Sequence, residues 1–237
     1  MTYCAGWKYA DSVYLFADTA ATKPSSPTTS HSSFGQLHAE VRGEHVEESL
    51  LKLVPIARGT AVAFAGDVYL ASQVVEFLKD RLAPDENIEE LFSTLMSNLG
   101  PFDPGRRVDL LLASSTPDGE RNLIHWDTLR GLDSEVSDYY QIGSLTSYHS
   151  AMTPQVLAHL VNGNLAADRV LSVMTAIVQS YGVHDNLVEM NVGGIIFGLA
   201  VIRARFLGKR IQISFFITPS LPLSLTSPRS SARTYWL

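Results

Sequence analysis

Residues 1–18 read MTYCAGWKYADSVYLFAD, and this stretch decides the fold. Two short runs rich in β-forming residues, Tyr3–Lys8 and Ser12–Ala17, are separated by Tyr9-Ala10-Asp11. Such a pattern predicts a β-hairpin at the start of the chain. The N-terminus is therefore expected to be part of a sheet.

The first half continues with strands and then helices. Residues 19–33 are rich in Thr, Ser, Pro and Ala, which predicts a long exposed loop. Asp67 is placed to cap the first helix, because it stands directly before a run with helical apolar spacing. The patterns predict strands at 48–56 and 60–65, followed by helices at 68–82 and 85–99.

The second half repeats this order of elements. The patterns predict strands at 108–114 and 122–126 and one ending at 142–144, helices at 153–161 and 165–181, and closing strands at 194–204 and 210–218. This order predicts an α/β (α+β) fold in which two packed sheets are covered by helices, a four-layer αββα sandwich. We expect residues 1–218 to form the domain and residues 219–237 to form a C-terminal surface tail.

Composition limits the possible functions. A chain of 237 residues with 46% hydrophobic content can bury a full core. The net charge of −6, with dispersed basic residues, argues against nucleic acid as a partner. Cys4 is the only cysteine, and the N-terminus lacks the pattern of a secretory signal, so we expect a cytoplasmic protein. No apolar run approaches eighteen residues, which argues against a membrane span.

Catalytic chemistry is suggested by the pair Met1-Thr2. A small residue after the initiator methionine permits its removal, which exposes the α-amino group of Thr2. A threonine hydroxyl alone is a poor nucleophile. An α-amino group, whose reference pKa is about 7.7–8.0, can accept its proton at neutral pH. One residue would then supply both nucleophile and base.

Further residues follow Thr2 in a recognisable order. Gly6 lies in the first strand, Asp18 follows the second strand, and Thr22 comes shortly after it. Residues 52–56 read KLVPI and, after a turn, residues 61–67 read AVAFAGD.

This order resembles the proteasome β-subunit family, which includes the bacterial HslV peptidase. The opening Met1-Thr2-Tyr3-Cys4 is most similar to the bacterial branch called the ancestral beta subunit. The resemblance covers nearly the whole chain and implies the fold of N-terminal-nucleophile (Ntn) hydrolases. It also implies a threonine peptidase that needs no cofactor and no metal ion.

The resemblance implies that Asp18 and Lys52 are the partners of Thr2. The lysine ammonium would lower the proton affinity of the Thr2 hydroxyl and amine, and Asp18 would hold the lysine in place. Gln36 is the competing candidate for the lysine position, and it would make the protein a degenerate member. We favour Lys52, because residues 52–67 keep the apolar pattern through the following strand.

Three more positions are matched to supporting roles by the resemblance. The main-chain N–H of Ala63 would donate to the oxyanion, and Ser144 would orient the Thr2 amine. Glu189 would supply an acid near the paired glycines 193–194.

Val192 departs from the family pattern, because it stands where the family has a serine just before the paired glycines. It lacks the serine hydroxyl, for which Asn191 or Asp185 are the possible replacements.

Two functions remain open at this point. The first is a threonine peptidase that cuts peptides or unfolded protein inside a self-compartmentalised homo-oligomer, either a ring or a helical assembly. An ATPase unfoldase, if present, would be a separate protein, because the chain carries no Walker-type phosphate loop. The second is a catalytically degenerate proteasome-like subunit with a structural or binding role.

Overall fold

The computed structural model describes most of the chain. The described residues are 3–24, 40–41, 44–48, 50–57, 59–82, 87–99, 105–116, 119–133, 135, 137–144, 147–161, 165–185, 196–202, 213–218 and 233–235. These residues form a mixed α/β structure with antiparallel sheets and four helices.

The strands are short and follow each other closely in the first third of the chain. They are Tyr3–Tyr9 (β1), Ser12–Asp18 (β2), Ala20–Pro24 (β3), Glu40–Val41 (β4), Glu44–Glu48 (β5), Leu53–Ala57 (β6), Thr60–Gly66 (β7), Val108–Ser115 (β8), Arg121–Asp127 (β9), Gly131–Leu132 (β10), Tyr139–Gly143 (β11), Ile196–Ile202 (β12), Ile213–Thr218 (β13) and Arg233–Tyr235 (β14). The helices are Val68–Arg81 (α1), Ile88–Leu99 (α2), Ser147–Val161 (α3) and Ala167–Asp185 (α4).

Two larger sheets and one small sheet are formed. The first has the strand order β11-β1-β2-β12-β13-β14, and the second has the order β10-β9-β8-β7-β6. The small sheet has the order β3-β5-β4. Adjacent strands are antiparallel in all three.

Three apolar clusters hold the two larger sheets and the helices together. One cluster joins residues of both sheets, including Cys4, Leu15, Leu53, Leu111 and Leu199. A second joins the first sheet to α3 and α4, and a third joins the second sheet to α1 and α2. Since successive strand residues point to opposite faces, β1 contributes Tyr3, Ala5 and Trp7 to the helix-facing cluster and Cys4 to the inter-sheet cluster.

Gly6 allows the two sheets to approach closely. A Cβ atom on Gly6 would lie 2.6 Å from Cδ1 of Leu123 in β9, which belongs to the other sheet. The first strand, which carries the N-terminus, is therefore packed directly against the second sheet.

Several predictions of secondary structure are confirmed. The first hairpin and α1 agree with the predicted bounds to within one residue. Asp67 caps α1, and its side chain accepts a hydrogen bond from the Leu70 amide at 2.8 Å.

Among the described helices, none has the length and apolar character that a membrane span requires.

Other predictions were wrong. Residues 20–24, predicted as part of a loop, form β3 and pair with β5. The strand predicted at 48–56 is two strands, because β5 ends at Glu48 and β6 begins at Leu53. Residues 233–235 of the predicted surface tail form β14, which pairs with β13 at the edge of the first sheet. Helix α3 begins at Ser147, ahead of the predicted position, and contains Pro154.

Gly66 is the glycine whose replacement we expect to be most harmful. Its φ angle is +107°, and a Cβ atom there would lie 2.0 Å from the main-chain oxygen of Arg107. Gly131 is a matched control, because its φ is +80° and a Cβ atom there would contact nothing within 4 Å. We expect Gly131→Ala to lower the free energy of unfolding by about 1–2 kcal/mol from backbone strain alone. Gly66→Ala adds a clash with main chain and should cost at least about 2 kcal/mol more.

Urea denaturation followed by circular dichroism measures both costs. Equal losses for the two variants would show that the close approach of Gly66 to Arg107 is not a constraint on the fold.

Candidate functional site

A buried ion pair connects the end of β2 with the residue before β6. The Lys52 ammonium lies 2.7 Å from Oδ1 of Asp18, and both side chains are only 1% exposed. Lys52 Nζ also donates a hydrogen bond to the main-chain oxygen of Ala20. The main-chain oxygen of Lys52 accepts from the Phe64 amide at 3.1 Å, which fixes Lys52 against β7. The ion pair therefore links the two larger sheets.

The same carboxylate oxygen reaches the start of the chain. Oδ1 of Asp18 accepts a hydrogen bond from the Tyr3 amide at 3.0 Å. That nitrogen is the atom through which Tyr3 is covalently joined to Thr2. Thr2 itself lies outside the described residues, so its own contacts are not part of this geometry. The ammonium of Lys52 is thus held beside the peptide nitrogen that follows residue 2.

Cys4 is a potential nucleophile in β1, and it is kept neutral. Its Sγ donates to the main-chain oxygen of Phe64 at 3.2 Å, and the side chain is fully buried. Burial raises the pKa of the Cys4 thiol far above its ordinary value, although the nearby Lys52 ammonium opposes this shift. Cys4 therefore does not compete with Asp18 for the positive charge of Lys52.

These groups can stabilise negative charge on a neighbouring atom. An ammonium in a water-poor site, fixed by a carboxylate and a carbonyl, favours an alkoxide beside it and disfavours a second cation there. The arrangement would lower the proton affinity of a hydroxyl or an amine placed next to it.

Ala63 lies in the middle of β7, and its amide direction follows from the ends of that strand. The Ser115 amide donates to the Gly59 oxygen at 2.9 Å. The Asp67 amide donates to the Arg107 oxygen at 2.8 Å. Because main-chain groups alternate along an antiparallel strand, the odd-numbered amides of β7 face β8. The Ala63 N–H therefore points into the β7–β8 ladder, and its oxyanion role stays a prediction that requires this bond to open.

Ser144 lies at the same end of the first sheet as Tyr3. It follows Gly143, which pairs with Tyr3 across β11 and β1, and it is half-buried. The structure thus brings Asp18, Lys52 and the Tyr3 amide into contact. Ser144 lies one residue beyond the position that pairs with Tyr3.

Most of the remaining predicted positions lie outside the described part of the chain. Glu189, Val192 and Gln36 lie outside the described residues, as does Asn191. Asp185 is the last residue of α4. Sequence reasoning did not identify the Ala20 carbonyl as a partner of Lys52, because a main-chain acceptor leaves no signal in residue type.

Comparison with known proteins supports the fold alone. No protein-family model matches the chain, and no curated protein matches it. Among solved structures it is similar to Anbu (ancestral beta-subunit) from Yersinia bercovieri, with a TM-score of 0.53 and 15% sequence identity. The match covers 84% of this chain and 80% of that chain. The likeness therefore extends over most of both proteins.

Removal of one partner of the buried ion pair should strongly reduce stability. Lys52→Met leaves the Asp18 carboxylate buried without its cation, and we expect it to lower the free energy of unfolding by about 3–5 kcal/mol. The double variant Lys52→Met/Asp18→Asn removes both charges and should be less destabilised than the sum of the single variants. Urea denaturation of the four proteins gives the coupling energy.

Lys8 provides a matched control. Its Nζ lies 2.9 Å from Oδ1 of Asp138, which is exposed to solvent. Lys8→Met should cost about 1 kcal/mol or less, because the Asp138 carboxylate that it leaves unpaired is exposed to water. If Lys52→Met costs no more than Lys8→Met, the ion pair of Lys52 is not buried as described.

Proposed function

We propose that this protein is an N-terminal-nucleophile threonine peptidase that hydrolyses amide bonds in peptides or unfolded protein. One observation carries the proposal: Oδ1 of Asp18 accepts hydrogen bonds both from Lys52 Nζ and from the Tyr3 amide, the atom joined to Thr2. After removal of Met1, the free amine and hydroxyl of Thr2 would lie next to a buried cation. This is the environment that activates a threonine nucleophile.

Strand alternation supports the proposal that the Thr2 side chain acts on the same face of β1 as Cys4. Residues two apart in a strand share a face, so positions 2 and 4 would point the same way if β1 extended by one residue. The Cys4 thiol is close enough to Lys52 for the ammonium to affect its pKa. We therefore propose that the Thr2 hydroxyl acts on the face of β1 that carries Cys4.

The proposed reaction has two steps. The Thr2 hydroxyl attacks the substrate carbonyl while the α-amine of Thr2 accepts its proton, and this proton then passes to the leaving amine. An ester between Thr2 and the acyl part of the substrate remains. Water hydrolyses this ester and restores the hydroxyl. Lys52 stabilises the developing negative charge, Asp18 holds Lys52, and Ser144 and Glu189 are proposed to orient the amine.

The proposal includes the arrangement of the layers and the kind of subunit. The three apolar clusters support a four-layer αββα sandwich of the Ntn-hydrolase type, since one lies between the sheets and the others lie under the helices. The likeness to Anbu over most of the chain supports a proteasome-like subunit of the ancestral beta-subunit kind. The buried free thiol of Cys4 is compatible with the reducing cytoplasm.

A second candidate function is a non-catalytic proteasome-like subunit. The direction of the Ala63 amide into the β7–β8 ladder favours it, because an oxyanion donor must be free to meet the substrate. Val192, in place of the expected serine, favours it as well.

Activity of Thr2 variants separates the two candidates. If Thr2 is the nucleophile, Thr2→Ala should abolish cleavage of fluorogenic peptides, because this variant keeps the α-amine but lacks the hydroxyl. Thr2→Ser should keep partial activity. The assay uses protein whose N-terminus has been shown by mass spectrometry to lack Met1, and circular dichroism checks folding. Equal turnover by wild type and Thr2→Ala would exclude Thr2, and inert wild type without Met1 would favour the non-catalytic candidate.

Assembly is the other part of the proposal. We propose a homo-oligomer, a ring or a helical assembly, in which helix faces are buried between subunits, with any ATPase unfoldase supplied by a separate protein. Tyr69 at the start of α1 is 63% exposed and carries Arg106 stacked 5.3 Å from its ring centroid. An aromatic and arginine pair of this kind is typical of interface centres.

Light scattering coupled to size exclusion tests this arrangement. We expect Tyr69→Glu to dissociate the oligomer, because it puts a charge into the interface. Leu129→Glu is the matched control, since Leu129 is an exposed apolar residue on the turn after β9, and it should leave the oligomer intact. A monomeric wild type, or equal effects of the two variants, would contradict the proposed interface.

A further inference from the structure

Three metal-ligating side chains meet on β8 and β9, outside the Lys52 site. Asp109 and Asp127 lie directly opposite each other in these antiparallel strands, and His125 precedes Asp127 by two residues. Residues that are paired across strands or two apart along one strand share a face of the sheet. One ligand atom from each of the three side chains lies within 4.8 Å of the other two.

His125 presents a nitrogen that lacks a partner. The side chain is 10% exposed, and its Nδ1 lies 3.5 Å from Oδ2 of Asp133. Across the part of the chain that the structure describes, nothing hydrogen bonds to the buried Nε2 atom. A carboxylate beside Nδ1 favours the proton on that nitrogen and leaves the lone pair on Nε2. Buried polar atoms without partners are rare, and a bound ion is one of the explanations for them.

The two aspartates are balanced by neighbouring cations in the protein. Like charges directly opposite each other on paired strands are destabilising. Arg130 Nε pairs with Oδ2 of Asp127 at 2.7 Å, and the Arg130 side chain is 70% exposed. Arg107 supplies further positive charge, with Nη2 at 3.1 Å from Oδ1 of Asp109 and 3.8 Å from Oδ2 of Asp127. Its side chain is 47% exposed, so it can turn into solvent without leaving a cavity. Arg107 thus occupies a place that a small cation could take.

We propose that Asp109, His125 and Asp127 bind a divalent transition-metal ion of the Zn²⁺ type, and that the exposed side chains of Arg107 and Arg130 neutralise the two carboxylates when no metal is bound. Imidazole nitrogen together with carboxylate oxygen is a ligand set that suits Zn²⁺. Ligands bound at about 2.0–2.2 Å lie at most about 4.4 Å apart, so the side chains need only small rotations.

The surroundings prepare two of the three ligands. Oδ1 of Asp127 accepts from the Leu129 and Arg130 amides at 2.8 and 2.7 Å, which fixes the carboxylate in position. Asp133 orients the His125 ring in the way that a carboxylate commonly orients a histidine ligand. The metal would stabilise the turn after β9 and its contact with β8.

Titration of the full-length, tag-free protein with ZnCl₂ tests the proposal by calorimetry and by thermal unfolding. We expect one Zn²⁺ per chain and a melting temperature that rises with Zn²⁺ concentration. His125→Gln and Asp109→Asn should each weaken binding by about a hundredfold or more, and Asp133→Asn by about 10–100-fold. Arg107→Ala should bind about three- to tenfold more tightly, because it removes a competing cation. Asp138→Asn, an exposed carboxylate paired with Lys8, is the control and should bind like wild type.

Some outcomes would overturn the proposal. If wild type binds no Zn²⁺, or if His125→Gln and Asp109→Asn bind it as wild type does, no metal site exists at these residues. If Arg107→Ala binds Zn²⁺ no more tightly than wild type does, Arg107 does not compete with the metal ion. Circular dichroism confirms that each variant folds, and the two ligand variants provide independent tests if one fails to fold. None of these residues belongs to the Lys52 site, so the result is independent of the proposed peptidase.

Discussion

The ion pair between Lys52 and Asp18 is the interaction on which the rest of the structure depends. Both side chains are almost completely buried, and transfer of two charges from water into a protein interior is costly. A pair of apolar residues of similar size would often be as stable or more stable in such a place. The pair nevertheless joins three segments of the chain, which are the start of β1 at Tyr3, residues 18–20, and Lys52 before β6. A costly buried charge of this kind occurs at functional sites and also in structural ion-pair networks.

Close packing of the two sheets makes this contact possible. Gly6 has no side chain where Leu123 of the opposite sheet approaches, and small residues at positions 61, 63 and 65 belong to the same inter-sheet cluster. Because the sheets are close, a lysine from the segment before β6 can reach the end of β2. The Cys4 thiol adds a further link through the Phe64 carbonyl. The position of the N-terminal strand thus follows from the size of the residues between the sheets.

Sequence patterns predicted the elements whose own residues carry a strong period. The first hairpin and α1 were predicted within one residue because alternation, turn residues and the Asp67 cap are local signals. Strands β3 and β14 were not predicted, because each is defined by pairing with a distant polar or edge segment. Asp18 and Lys52 were predicted as partners only through a family resemblance, since 34 residues separate them. The direction of the Ala63 amide could not be predicted, because it depends on the phase of hydrogen bonding along β7.

The central claim is that Thr2, freed of Met1 and placed beside Lys52, is the nucleophile. It is tested most directly by peptide mapping after incubation with a peptide that carries an electrophilic vinyl sulfone, which forms a stable bond with an activated hydroxyl. We predict a single covalent adduct on Thr2, which forms in the folded protein and does not form in protein unfolded before the incubation. Protein with a verified free Thr2 that stays unmodified, or that is modified equally at other hydroxyl groups, would contradict it.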